Sequence, residues 1–463
     1  MPFVNAYFID ESSNIIICLK IVTSIVNLYI ICDRIVKNSI VFLLRSSIMD
    51  FVFKEDKSEG KEMNYRNLLK TGLAAVMAVS LAACGGSGNG GSDSGSSDGA
   101  GSTAALKLGA SGPITGNAAV YGLAVQHAAE IAIEEVNAMG GTQLEFNFQD
   151  DQADTEKAVA AYNALMDWGM QISLATVTSG SGQAVAPNYA QDNIFGITPS
   201  GSSTAVIYRD TVNNTDPYGV LFQMCFTDPN QGTASADYLN THKELGSKIG
   251  IIYRSDDNYS TGIYQTFKAE ADKLGLNIVD TETFVDSDTD YSVQVKKIAD
   301  AGADIVFLPI YYQPASQILV EAEKQGFKPN FFGCDGMDGI LTLENFDTSL
   351  AEGLYMLTPF SADAQDEKTV NFVKKYTEKY GEVPNQFAAD AYDCVYAIKQ
   401  AIDHAGITAD MSTDDITAAM VKEFTSMTFD GITGTSMTWS ESGEVSKAPK
   451  AVVIENGVYV GVE

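Results

Sequence analysis

The chain has 463 residues, with 29 Lys/Arg against 60 Asp/Glu and a formal net charge of −31. A surface this acidic is repelled by phosphate backbones, which argues against nucleic acid as a partner. The three histidines, His127, His242 and His404, lie far apart, so no His-based metal site or catalytic set is expected.

Residues 1–62 are rich in Ile, Asn, Phe, Leu and Ser without a steady period, and Lys20, Asp33, Arg34 and Lys37 cut their apolar runs. They read as translated upstream DNA, with the codons of Glu59 to Glu62 serving as a purine-rich ribosome-binding site before a start at Met63. A genuine N-terminal membrane helix is the rival reading. From Met63 the chain carries Arg66 and Lys70, then an apolar core from Thr71 to Ser80 that is too short to span a bilayer. Leu81-Ala-Ala-Cys84 follows and resembles a bacterial lipobox. Residues 63–83 are therefore expected to be a lipoprotein signal peptide, and Cys84 the lipidated mature N-terminus. The part from Cys84 onward keeps a net charge of −32, because 9 Lys/Arg and 8 Asp/Glu precede it.

Residues 85–103 hold 14 Gly or Ser in 19, a flexible tether spanning roughly 24 Å. Short apolar runs then alternate with amphipathic stretches in α/β order. Leu106–Ala110 is predicted as a strand, followed by a helix to Met139 whose apolar face is Val125, Ala129, Ala132, Val136 and Met139. Leu144–Phe148, a helix to Trp168, and Ile172–Val177 continue the pattern. A second series runs Ile249–Tyr253, Ile278–Phe284, Asp304–Pro309 and Phe331–Phe332, with helices between. Helices near 365–380, 386–404 and 413–425 come next, and Phe429–Trp439 and Lys450–Val460 are predicted as strands. Two parallel-sheet lobes in succession are expected, with lobe 1 formed by 104–226 and 358–432 and lobe 2 by 227–357 and 433–463. Crossings near 226–229, 355–360 and 430–437 would act as a hinge.

In open parallel sheets, ligands settle where strand C-termini meet helix N-termini. The first lobe offers Ser111–Gly116, Thr178–Gly182 and Thr198–Ser203 there, hydroxyls and amides suited to a carboxylate. The second offers Asp256–Gly262, Tyr311–Gln313 and Cys334-Asp-Gly336, phenols and a carboxylate suited to an ammonium. Together they describe a receptor for an α-amino acid. Beyond the tether there is no Gly-x-Ser-x-Gly elbow and no phosphate-binding Gly-x-x-x-x-Gly-Lys loop, so a hydrolase is not expected.

From about Leu106 to its end, the chain resembles the leucine/isoleucine/valine-binding protein family, the type I solute receptors of ABC importers. The matching residues are Gly109-Ala-Ser-Gly-Pro-Ile-Thr-Gly116 with Tyr121-Gly122, Gly140-Gly141, Asp150-Asp151, Thr198-Pro199, Asp256 to Gly262, Phe331 to Gly336 and Phe429-Asp-Gly-Ile-Thr-Gly434. The resemblance implies an α/β, two-lobed periplasmic-binding-protein type I fold, each lobe a parallel sheet flanked by helices, with the cleft between lobes. It puts Ser179 and Ser202 on the ligand carboxylate, helped by backbone near Ser200, and pairs Asp335 with the ammonium, aided by Tyr311. Tyr121 and Tyr259 would flank the ligand from opposite lobes, and Asp228 would stand by the connection between lobes as a secondary ligand contact.

Two departures are visible. Ala153 and Thr178 replace the disulfide of some relatives, and Asp335 stands where branched-chain receptors carry Glu. Asn213 to Gly219 is insert-like and is expected to reshape the cleft rim. The implied protein is a monomeric, lipid-anchored, extracytoplasmic receptor, not an enzyme and without cofactor or metal. It would bind a branched-chain or similar amino acid and deliver it to the transmembrane subunits of an ABC permease. A receptor for an amide, urea or aromatic acid, or a sensory binding protein of the same fold, is the alternative.

Overall fold

A computed structural model describes residues 104–462. The expectations for residues 1–62, the signal peptide, Cys84 and the tether to residue 103 lie outside the described residues. The first series is β1 (Leu106–Gly112), α1 (Ala119–Ala138), β2 (Leu144–Asp150), α2 (Thr155–Trp168), β3 (Ile172–Thr176), α3 (Ser179–Gln191), β4 (Gly196–Thr198) and β5 (Leu221–Gln223). These strands form one parallel sheet in the order β2-β1-β3-β4-β5.

The second series is α4 (Asp228–Thr241), β6 (Lys248–Arg254), α5 (Asn258–Leu274), β7 (Asn277–Phe284), α6 (Ser292–Asp300), β8 (Ile305–Leu308), α7 (Tyr312–Gln325), β9 (Asn330–Gly333) and β10 (Tyr355–Thr358). Helices α8 (Glu367–Tyr380), α9 (Gln386–Ala405) and α10 (Thr413–Phe424) follow, and β11 (Lys450–Glu455) and β12 (Val458–Val462) close the chain. The second sheet runs β12-β11-β10-β9-β8-β6-β7, parallel except for the antiparallel β10-β11-β12 edge. Two α/β lobes with parallel sheets are thus present, as the alternation of apolar runs predicts.

The local chemistry explains the boundaries. Asp154 caps α2 by accepting from the amides of Glu156 and Lys157, and Gly169 ends that helix in the left-handed region at φ +92°. Strand β3 is buried along its whole length, as a central parallel strand covered on both faces must be. Around the first sheet, Leu108, Ile172, Phe195 and Phe222 pack with Ile398 and Ile402 of α9 and Phe424 of α10. Ile251, Phe267, Phe307 and Phe332 form the corresponding core of the second.

Three expectations need correction. Met139 is 63% exposed and follows the last residue of α1, so it is not part of the apolar face. Phe429–Trp439 is not a strand. It makes only isolated bridges, Phe429 to Met437 and Trp439 to Val445, and Phe429, Met437 and Trp439 are buried against the first-sheet core. That placement also moves a lobe boundary, because Trp439 Nε1 donates to the Gln223 carbonyl at 2.8 Å and residues 433–447 belong with the first sheet. The third crossing consequently lies between Val445 and β11 rather than near 430–437. The insert around Asn213–Gly219 folds on itself: Tyr208 bridges to Pro217, and Arg209 lies 4.6 Å from the centre of the Tyr218 ring.

Candidate functional site

The loop after β1 is fixed by the end of β2. Asp150 accepts from the Ile114 amide at 3.0 Å and the Thr115 hydroxyl at 2.6 Å. Pro113 then sits over α1 so closely that a Cβ at Gly122 would stand 1.9 Å from its carbonyl oxygen. Glycine at 122 therefore lets α1 approach the loop and sets Tyr121 at the edge of the first lobe. From there the Tyr121 hydroxyl donates to the Gly336 carbonyl at 2.5 Å and accepts from the Tyr312 amide at 3.3 Å, both in the second lobe.

A narrow cavity between the lobes, with about 10 Å³ of free space, is lined by Tyr121, Val177, Thr178, Ser179, Ser200, Tyr259, Tyr311, Asp335, Gly336 and Phe387. Its two ends differ in chemistry. On the first-lobe side, α3 begins at Ser179 with no side-chain cap, so amides of its first turn and the positive end of its dipole face that end. Ser179 Oγ accepts from the Ser203 amide at 3.1 Å, which leaves its own proton to donate elsewhere. The Thr178 hydroxyl is buried without a partner among the described residues. Ser200 Oγ, by contrast, spends its proton on the Val177 carbonyl at 2.6 Å.

On the second-lobe side stands Asp335, 2% exposed. Its Oδ1 accepts from the Tyr259 hydroxyl at 2.7 Å, and that hydroxyl accepts from the Gly336 amide at 2.9 Å. Burial pushes the Asp335 carboxyl up to about 7, against the hydrogen bonds that favour its charged form. Burial and the neighbouring Asp335 raise the Tyr259 phenol well above its ordinary value, so it remains a donor. Aromatic rings wall the sides: Tyr121 meets Phe387 at 4.6 Å and Tyr311 at 5.3 Å between centroids, and Tyr259 meets Tyr311 at 4.9 Å.

Six of the residues singled out by sequence, Ser179, Ser200, Tyr121, Tyr259, Tyr311 and Asp335, are thus brought to one cavity. Ser202 and Asp228 are not on its wall. The chain turns inward after Ser200, where the Ser202 carbonyl accepts from the Asp228 amide at 2.9 Å. The Asp228 carboxylate is buried behind the wall beside the Ser202 and Ser203 side chains, and burial raises its pKa well above the ordinary range although those hydroxyls favour its charged form. Sequence reasoning missed Val177, Thr178, Gly336 and Phe387. Thr178 and Gly336 lie within loops picked out for other residues; Phe387 opens a helix and carries no local signal. Cys225, Cys334 and Cys394 are buried free thiols. Among the described residues, no group of three or more His, Cys, Asp or Glu is placed to hold a metal, and no helix is long and apolar enough to cross a membrane.

Comparison with known proteins agrees with this architecture. The family model described as "Periplasmic binding protein" matches residues 105–457. The Leu/Ile/Val-binding protein homolog 3 of Brucella melitensis is 26% identical over 366 residues, covering 77% of this chain and 94% of that protein. Among solved structures, the branched-chain amino acid transporter substrate binding protein LivJ of Streptococcus pneumoniae, in complex with isoleucine, is 25% identical. It superposes with a TM-score of 0.67 over 78% of this chain and 100% of that one. A solute binding protein of an R. palustris ABC transporter, in complex with benzoate, shares the fold with a TM-score of 0.68 at 19% identity, over 78% of this chain and 96% of that one. The resemblance read from the sequence is borne out by the family match and by the two-sheet architecture, and the chain belongs to the periplasmic binding protein family.

Proposed function

We propose that this chain is an extracytoplasmic receptor of an ABC importer that binds an α-amino acid between its lobes and hands it to the permease. The observation that carries this reading is the opposed chemistry of one cavity: helix-end amides and the hydroxyls of Thr178 and Ser179 at one end, Asp335 at the other. A zwitterion satisfies both ends at once. Neither lobe alone offers both halves of that recognition, so the ligand favours the closed arrangement, which is the differential affinity that closure requires. Tyr121, Tyr259, Tyr311 and Phe387 would enclose the side chain, and Ser200 would shape the carboxylate end. The chain binds and releases without chemical change, as a monomer.

The alternative, an aromatic acid such as the benzoate of the structural neighbour, would place an anion in a cavity whose wall includes Asp335 and no Lys or Arg. A thermal-shift screen of the twenty L-amino acids against benzoate decides between them. A ligand at 100 times its Kd adds about 2.7 kcal/mol of stability, so at least one amino acid is expected to raise the melting temperature. A shift with benzoate alone would overturn the amino-acid reading.

The receptor is proposed to be held at the outer face of the membrane through a lipid on Cys84, with the Gly/Ser segment as its tether. Mass spectrometry of membrane-extracted protein is expected to find a chain beginning at lipid-modified Cys84. Recovery of an unmodified Cys84 inside a longer chain would remove the anchor.

A further inference from the structure

The turn carrying Asp335 is gripped from the first lobe at several points. Tyr121 Oη reaches the Gly336 carbonyl at 2.5 Å, and Gln386 Nε2 donates to the Asp335 carbonyl at 3.1 Å. Val120 lies against Gly339, where φ is +103° and a Cβ would stand 2.6 Å from Val120 Cγ1. The remaining contact is of another kind: the Gln386 amide donates to Asp338 Oδ2 at 2.9 Å. Gln386 is the first residue of the 20-residue helix α9, which packs on the first sheet. Its amide is one of those a helix cannot satisfy internally, and the positive end of the helix dipole lies there. The helix's own cap, Asn385, serves the Ala388 amide instead. Asp338 is 6% exposed, and besides the Gln386 amide its carboxylate meets the Tyr459 hydroxyl and the Gly339 amide of its own lobe, so it has little solvent to fall back on.

We propose that Asp338 is a positioning residue that fastens the closed cleft by placing a second-lobe carboxylate on the N-terminus of first-lobe helix α9. The proposal rests on the reading of the cleft as one that closes on an amino acid. Asp335 and Asp338 share one short turn, so drawing Asp335 toward a ligand held by the first lobe also brings Asp338 onto α9. Opening the cleft breaks the Asp338 bond without touching the ligand. Its loss is therefore expected in the rate of escape more than in the rate of capture.

The test compares wild type with Asp338→Ala and Asp338→Asn, using an equimolar mixture of the twenty L-amino acids at saturation. Small-angle scattering gives the compaction on ligand addition, and mass spectrometry after rapid dilution gives the rate at which bound amino acid leaves. Asp338→Ala is expected to release it about tenfold faster, as for loss of a hydrogen bond to a charged group, and to compact less. Asp338→Asn keeps an acceptor oxygen for the Gln386 amide and is expected to fall between. An Asp338→Ala protein with wild-type release and compaction would overturn the clamp while leaving the receptor reading intact. If Asp338→Ala melts lower without ligand, Asp338→Asn decides: faster release at normal melting temperature supports the clamp, and wild-type release overturns it. A wild type that neither compacts nor retains any amino acid sinks the receptor reading, and the clamp with it.

Discussion

Replacing Lys447 by methionine is expected to cost about 3–5 kcal/mol of folding stability, the usual penalty for stranding one partner of a buried ion pair. Lys447 and Asp390 are fully buried, with Nζ 2.5 Å from Asp390 Oδ1. Nζ also donates to Thr433 Oγ1 at 2.6 Å, and that hydroxyl donates to Asp393 Oδ2 at 2.6 Å. Asp393 accepts further from the amides of Ile432 and Thr433, both at 2.9 Å. The i, i+3 spacing on α9 puts both aspartates on one helix face, and the lysine arrives from the segment that crosses to β11.

The ion pair therefore anchors the third crossing to the first lobe. Burial already pushes Asp390 up to about 6 although Lys447 pulls it down. Without the lysine its carboxyl rises further, and a raised folded-state pKa means stability lost as pH rises above the unfolded carboxyl range, about 3.9. The penalty of Lys447→Met should accordingly shrink as pH falls toward 6 and level off below it. Adding Asp390→Asn should recover most of it by removing the stranded charge. Urea denaturation at several pH values checks this, and a loss under 1 kcal/mol at neutral pH would show that the pair is not the anchor.

The order of strands and helices was legible because a parallel sheet writes itself as short apolar runs separated by amphipathic stretches with Gly at their ends. Gly169, Gly275 and Gly326 each close a helix in the left-handed region. Phe429–Trp439 misled for a physical reason. Met437 and Trp439 alternate with polar neighbours as in a strand, yet what they bury against is the first-sheet core around Phe424 and Phe222, not a neighbouring strand. A period of two reports that one face is buried and says nothing about what covers it. Lys447 shows the same limit from the other side, since a lysine in a Ser-Lys-Ala-Pro stretch reads as solvated until Asp390 is placed beside it.

The candidate site was legible wherever a loop follows a strand, because the topology alone delivers Ser179, Tyr259, Tyr311 and Asp335 to one edge. Residues that reach the cavity from helices remained hidden. Phe387 belongs to a helix more than 50 residues after Asp335 in sequence, and only packing brings the two together. Ser202 and Asp228 failed in the opposite way. The loop of Ser202 was correctly placed and Asp228 does stand at the first crossing, but a strand's end does not say at which residue the chain turns inward.

Asp335→Asn is expected to cost about 2–5 kcal/mol of amino-acid affinity, the range for truncating one member of a buried charge pair, with the fold retained because Asn keeps the shape and an acceptor for Tyr259. The pH dependence follows from the same burial. With the carboxyl pushed up to about 7, the free receptor is largely protonated at pH 6 and must give up that proton to pair with an ammonium. Affinity should fall as pH drops below about 7, approaching tenfold per unit, and level off above it. Stability of the free protein has the opposite slope: the raised carboxyl contributes fully below the unfolded value of about 3.9 and is lost as pH rises through 7. An amino-acid ligand cancels that loss by supplying the counter-charge, so the ligand-induced rise in melting temperature should grow between pH 5 and pH 8 in the wild type. In Asp335→Asn it should be small and flat, since Asn carries no charge to pair. Calorimetric titrations of both proteins across that range measure the effect, and equal affinity at pH 8 would take Asp335 out of the ammonium site.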